Sequence, residues 1–204
     1  PSFLADVAIQ GERICAIGKM PYATATTIIE AEERYLAPGF IDVHTHDDTN
    51  VIRTPAMLPK LTQGVTTVVV GNCGISASPV TLDADIPDPM NLLGSAVDFR
   101  YPSFADYASA VDTAKPSINV AALVGHTSLR SQVMDSFDRP ASSDEIAAME
   151  ALLRQALDEG ALGLSSGLAY RNAIHAPTAE MAPLVAAVGH SGGVYTTHLR
   201  DEFA

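Results

Sequence analysis

Two hydrophobic periodicities run through this chain, and they change over near Pro38. Before it, apolar positions alternate with polar ones. Ala5-Asp6-Val7-Ala8-Ile9 reads as a strand, Gly11-Glu12 as a turn and Arg13-Ile14-Cys15-Ala16-Ile17-Gly18 as a second strand, with residues 26–30 a candidate third. Cys15 falls inside an apolar strand and is expected to be packed core rather than a reactive thiol. After Pro38, strand patterns alternate with helical ones. Residues 40–46 form the first strand pattern, and residues 56–63 a short helix stopped by Gly64. Val65-Thr66-Thr67-Val68-Val69-Val70 is β-branched throughout, as suits a strand covered on both faces. Residues 104–114 can be helical, and residues 118–124 are a third strand. The clearest helix starts with a capping box, Ser142 with Glu145, and Gly160 closes it. Its apolar face is Ile146, Met149, Leu152, Leu153, Ala156 and Leu157. Residues 161–167 give a fourth strand, 178–190 a helix and 194–198 a fifth strand. Residues 75–102 carry four prolines and little periodicity, so they read as a long loop or excursion, a lid or a subunit contact.

Strands alternating with helices predict a parallel sheet with helical crossovers. Polar residues gather at the carboxyl ends of these strands: His44, His46, Cys73, His126, Ser165 and His198. In a (β/α)8 barrel that end carries the active site, and about five of the eight units would be present here. The expected division is residues 1–37 as a β segment and residues 38–204 as the first part of a barrel. The chain opens at Pro1 without a methionine and stops just after a motif, so it is expected to be a piece of a longer protein.

Composition narrows the field. Of 204 residues, 47% are hydrophobic and 18% charged, an ordinary globular balance. Twelve basic residues against twenty-four acidic ones give a formal net charge of −12, which disfavours nucleic acid and anionic membrane as partners. Two cysteines, Cys15 and Cys73, are too few for a disulfide framework. With no signal peptide and no long apolar run, a cytoplasmic location is expected.

The chemistry concentrates on a few residues. His44 and His46 are separated by one residue, so in a strand both face the same side and can reach one metal ion. The alternative is a pair of surface histidines beside acidic residues. Cys73 lies in the turn Gly71-Asn72-Cys73-Gly74 just past a strand, where a thiolate could bind zinc beside that pair. His198 ends a strand in the same way, with Arg200, Asp201 and Glu202 close by. His126 has a similar place, and a loop histidine bonded to backbone is an equal reading. His175 and His190 are expected at the solvated surface. Asp47 and Asp48 could support a ligand or simply be exposed.

Five ordered motifs, spread over essentially the whole chain, carry a family resemblance. Gly39-Phe40-Ile41-Asp42-Val43-His44-Thr45-His46 resembles the first barrel strand of the amidohydrolase superfamily. Gly64-Val65-Thr66-Thr67-Val68-Val69-Val70-Gly71-Asn72-Cys73-Gly74, Val124-Gly125-His126-Thr127, the run from Gly160 to Tyr170, and Thr197-His198-Leu199-Arg200-Asp201-Glu202 resemble the N-acyl-D-amino-acid deacylases (D-aminoacylases). The resemblance implies a zinc-dependent (β/α)8 barrel beside a small β-sandwich to which residues 1–37 contribute. It implies hydrolysis of the linear amide bond of N-acyl-D-amino acids, releasing a carboxylate and a D-amino acid. Most of the superfamily has a modified lysine after strand four; here that position reads Leu164-Ser165-Ser166-Gly167, and the deacylases are similar in using the cysteine after strand two. By the same resemblance Cys73 and His198 are zinc ligands, His44 and His46 face a second metal position, and Tyr170 helps hold the substrate carboxylate. The general-base aspartate is expected beyond Ala204, so residues 1–204 alone are expected to be inactive and poorly soluble. Arg171-Asn172-Ala173-Ile174-His175 departs from the proline-containing segment of the family and leaves the side-chain preference open. Two other readings stand beside this one: a ring-opening amidohydrolase of the hydantoinase or dihydroorotase kind, and an inactive truncated relative.

Overall fold

The computed structural model describes residues 3–32, 34–83 and 85–201, so Glu202 of the last motif lies outside the described residues. By internal contacts the chain divides into two units, 1–38 and 39–204.

In the first unit, β1 (Asp6–Gln10) and β2 (Arg13–Gly18) pair antiparallel around the turn at Gly11, with a register irregularity between Ala8 and Ile9. Residues 26–30, a candidate third strand, adopt no regular structure. Thr26, Thr27, Ile28 and Ile29 are β-branched, but among the described residues no strand lies beside them to complete a ladder, and β propensity without a partner does not hold a strand. Cys15 is exposed rather than packed: β1 and β2 pair as a two-stranded sheet in which no residue is fully buried.

The second unit is built on a parallel sheet in the order β3 (Phe40–Asp42), β4 (Val65–Val70), β7 (Asn119–Gly125), β8 (Gly163–Gly167) and β9 (Val194–His198). These five strands follow one another in space as in sequence, joined by α1 (Asn50–Arg53), α2 (Leu58–Leu61), α3 (Phe104–Ala114), α4 (His126–Val133), α5 (Ser143–Asp158) and α6 (Thr178–Ser191). Val68, Val70, Val124 and Leu164 of the strands pack in one core with Tyr107 of α3, Met149 and Leu153 of α5, and Leu184 and Val188 of α6. Each such side chain, fully buried, contributes about 1.5–3 kcal/mol.

The helix α5 shows how local sequence sets an element. Ser142 Oγ accepts the Glu145 N–H at 3.3 Å, and Glu145 Oε2 accepts the Ser142 N–H at 2.8 Å, so the predicted capping box is complete. Such a cap is worth about 1 kcal/mol. Met149, Leu153 and Ala156 recur at helical spacing and are buried, while Ile146, Leu152 and Leu157 flank them half-buried.

Two predicted elements are shorter than their patterns. The helix expected over 56–63 is one turn, Leu58–Leu61, because Met57 just before it is left-handed and breaks the helical path from Ala56. The first strand ends at Asp42, so His44 and His46 stand on the loop beyond it. The described residues of the 75–102 stretch fold into a small unit of their own. Its short strands β5 (Val80–Thr81) and β6 (Arg100–Tyr101) pair antiparallel, and Ile75, Val80, Met90, Leu93 and Phe99 form a small buried core of their own. Among the described residues no helix is long and apolar enough to cross a membrane.

Candidate metal centre

At the carboxyl ends of the strands, three side chains far apart in sequence meet. The ring Nε2 of His44 lies 2.9 Å from Cys73 Sγ, and Nε2 of His198 lies 3.0 Å from the same sulfur. The three donor atoms lie within 4.8 Å of one another. Cys73 is buried, His198 half-buried and His44 exposed, so the group opens to solvent on one side. The rings of His44 and His198 meet edge-on with centroids 5.9 Å apart.

The two other site residues picked out from sequence sit at the margin. His46 stays outside the three-donor group, with its ring centroid 5.8 Å from that of His44. Burial, together with the charges of His44 and His198, holds the His46 imidazole below its usual pKa against the pull of Asp47, which favours the neutral, metal-binding form. Tyr170 packs edge-on against His198 at 5.4 Å between centroids, across the same opening.

The loop carrying His44 and His46 is tied down by charge. Lys60 Nζ lies 2.6 Å from Asp42 Oδ2 and 3.2 Å from Asp47 Oδ2, and donates to Thr45 Oγ1 at 3.2 Å. Asp42 in turn accepts the His44 backbone N–H at 3.2 Å. Its hydrogen bond from Lys60 holds the Asp42 carboxyl below its ordinary pKa. Lys60 drew no notice in the sequence, because a lysine on a short helix carries no pattern of its own.

Asp48 is buried, not exposed. Oδ1 accepts the Ala77 N–H at 3.3 Å, and Tyr107 donates its hydroxyl to the Asp48 carbonyl at 2.8 Å. Burial outweighs these backbone hydrogen bonds, including one from Gly71, and pushes the Asp48 carboxyl up to about 7.

His126 belongs elsewhere. It is the first residue of α4 and fully buried, and its Nε2 lies 2.9 Å from Glu180 Oε1. Arg130 Nη1 donates to the same oxygen at 2.6 Å, and the Ala141 N–H donates to Glu180 Oε2 at 3.0 Å. Burial holds His126 below its usual pKa despite Glu180. For Glu180, burial acts upward, but His126, the Ala141 N–H and Arg130 outweigh it and keep the carboxylate low. His126 is therefore a neutral donor to an ionised Glu180, neither a member of the sulfur-centred group nor a loop histidine on backbone. His175 and His190 are exposed, as expected.

A thiol sulfur and two imidazole nitrogens converging at one opening could hold a borderline-soft divalent cation such as zinc. With this fold and this group of donors in place, comparison with known proteins gives their class. Residues 27–197 match the profile of the Amidohydrolase family. The chain belongs to the amidohydrolase family. Within it, the kinship is with the N-acyl-D-amino-acid deacylases. The N-acyl-D-aspartate deacylase of Alcaligenes xylosoxydans xylosoxydans is 47% identical over 203 residues, which cover 99% of this chain and 41% of that protein. The D-aminoacylase of the same organism is 44% identical over 202 residues, covering 99% and 42%. A crystal structure of D-aminoacylase superposes with a TM-score of 0.94 at 46% identity, over 99% of this chain and 42% of the other. The N-acyl-D-glutamate deacylase of Bordetella bronchiseptica, solved with zinc and a phosphonate mimic of the tetrahedral intermediate, gives a TM-score of 0.90 at 39% identity, over 97% and 41%. The chain thus spans about two fifths of the length of these relatives.

Proposed function

We propose that this chain is part of a zinc-dependent deacylase that hydrolyses the amide bond of N-acyl-D-amino acids, releasing a carboxylate and a D-amino acid. The observation that carries the reading is the His44–Cys73–His198 group, set at the strand ends of a chain 47% identical to an N-acyl-D-aspartate deacylase. The donor set fits the metal: one buried sulfur and two imidazoles, with a third imidazole kept neutral next to them. Cys73, His198 and His44 would hold the ion, and His46 would face a second position. A bound zinc supplies Lewis acidity to activate water and polarise the amide carbonyl.

The chain's own residues do the rest of the work on this side of the site. Lys60, Asp42 and Thr45 hold the histidine loop, Tyr170 borders the opening where a substrate carboxylate would lie, and the exposed His44 leaves the cleft open to water. The fold completing this arrangement is an eight-stranded barrel, begun by residues 38–204. Residues 1–37 form one part of a β-sandwich, and a general-base aspartate is supplied from elsewhere in the protein.

The test is amine release from paired N-acyl-D- and N-acyl-L-amino acids by the protein expressed from its complete gene, with and without a zinc chelator. Chelator-sensitive release from the D series alone is the expected result. Release from cyclic amides only would replace this reading with a ring-opening amidohydrolase.

A further inference from the structure

We propose that Ser165 is the positioning residue that sets the Cys73 thiol, an inference that rests on the metal reading above. Ser165 is fully buried on β8, and its single hydroxyl closes both ends of the turn that carries the cysteine. It donates to the Gly71 carbonyl at 2.5 Å and accepts the Gly74 N–H at 2.9 Å. Cys73 lies between those two contacts.

The turn needs such a clamp. Cys73 has φ +59°, in the left-handed region that a residue with a Cβ rarely adopts. Conformations of that kind persist where the surroundings over-determine them. Part of that determination is steric. Gly74 has φ +79°, and a Cβ there would lie 2.7 Å from the Gly167 nitrogen, so the turn rests directly on the end of β8. The rest is polar, and among the described side chains Ser165 alone bonds both to Gly71 and to Gly74. With the turn seated on Ser165, no room remains at this point of β8 for a long side chain. The short residue at 165 and the turn that holds Cys73 form one unit, the Gly74–Ser165 contact spanning 91 positions of sequence.

Ser128 supplies the comparison. It is equally buried and exchanges two hydrogen bonds with Ser76, accepting from its N–H at 2.7 Å and donating to its carbonyl at 3.0 Å. It therefore braces the same loop three residues beyond the cysteine, without bracketing the turn.

The experiment is cobalt(II) titration of the metal-stripped protein from its complete gene, read by the near-ultraviolet thiolate-to-cobalt charge-transfer band. The wild-type protein should show the band and Cys73→Ala should lose it. Ser165→Ala should bind cobalt about 10- to 100-fold more weakly, the range for residues that orient a ligand, with the band shifted or weakened. Ser128→Ala should keep both the band and the affinity within about threefold of wild type, well short of that range. Equal losses in the two serine variants, an unchanged Ser165→Ala, or a Ser165→Ala that does not fold while Ser128→Ala does, would overturn the positioning role. A wild-type protein without the band, by contrast, would overturn the metal reading itself.

Discussion

His126 and His198 both stand at the carboxyl end of a strand of the same sheet, and they meet opposite fates. His198 closes β9 half-buried, with its ring nitrogen against the Cys73 sulfur. His126 follows β7 directly into the first turn of α4, and the helix carries it inward to Glu180 and Arg130, where no part of it reaches solvent. One histidine faces a cleft among mixed donors; the other is sealed into a charge-balanced lock between α4 and α6. A strand-end position brings a histidine near the site, and the element that follows decides whether it turns toward it.

The contrast can be broken most sharply at Cys73. On the proposed function, Cys73→Ala should lower kcat/KM of the protein from its complete gene by at least about 10³-fold, since several kcal/mol of transition-state stabilisation would depend on the ion. Zinc content by atomic absorption should fall in parallel, while the urea midpoint moves little. The lock should behave in the reverse way. Glu180→Ala leaves Arg130 buried without its carboxylate, and unfolding in urea should show a loss of about 3–5 kcal/mol. A loss below about 1 kcal/mol would mean that water or a rearranged partner satisfies Arg130.

Acidity separates the two regions further. Glu180 is held low and His126 is held neutral, so their contribution to stability is complete above 6.5 for His126 and above 4.5 for Glu180, and is lost as pH falls from those values through the lower folded ones. Asp48 has the opposite sign. Its folded pKa of about 7 lies above the ordinary 3.8, so its contribution is complete below 3.8 and is lost as pH rises through about 7. In Asp48→Asn, urea stability measured from pH 5 to pH 8 should therefore lose its downward component, and the gain from pH 5 to 7 should be steeper than in wild type. The smallest effect is expected at Lys60. Lys60→Met breaks partly exposed pairs with Asp42 and Asp47, so stability should change by about 1 kcal/mol or less. Metal affinity, read by competition with a chelating dye, should fall more visibly, because the same ammonium holds the His44 loop.

Much of the architecture was legible from short-range pattern. The helix of residues 104–114 was placed to the residue, α5 had its capping box and apolar face, and all five strands of the parallel sheet lay within a few residues of their predicted bounds. These features depend on side-chain period and on caps, which are properties of neighbours in the chain. The errors came where neighbours do not decide. The β-branched run of residues 26–29 gains no strand without a partner, and Cys15 is apolar in pattern yet exposed, because burial requires a second layer.

The sequence by itself determined which residues could do chemistry: the His44 and His46 pair, Cys73 between its glycines, and His198 at a strand end. Tertiary structure decided which of them converge. It joined His44 and His198 to one sulfur, left His46 at the margin and withdrew His126 into the lock. It also recruited Lys60, which carries no signal in the sequence, and gave Asp48 and Ser165 partners that their positions in the sequence do not show. The physical reason is distance along the chain. Cys73 and His198 lie 125 positions apart, and only the registered stacking of parallel strands brings such ends within 3.0 Å.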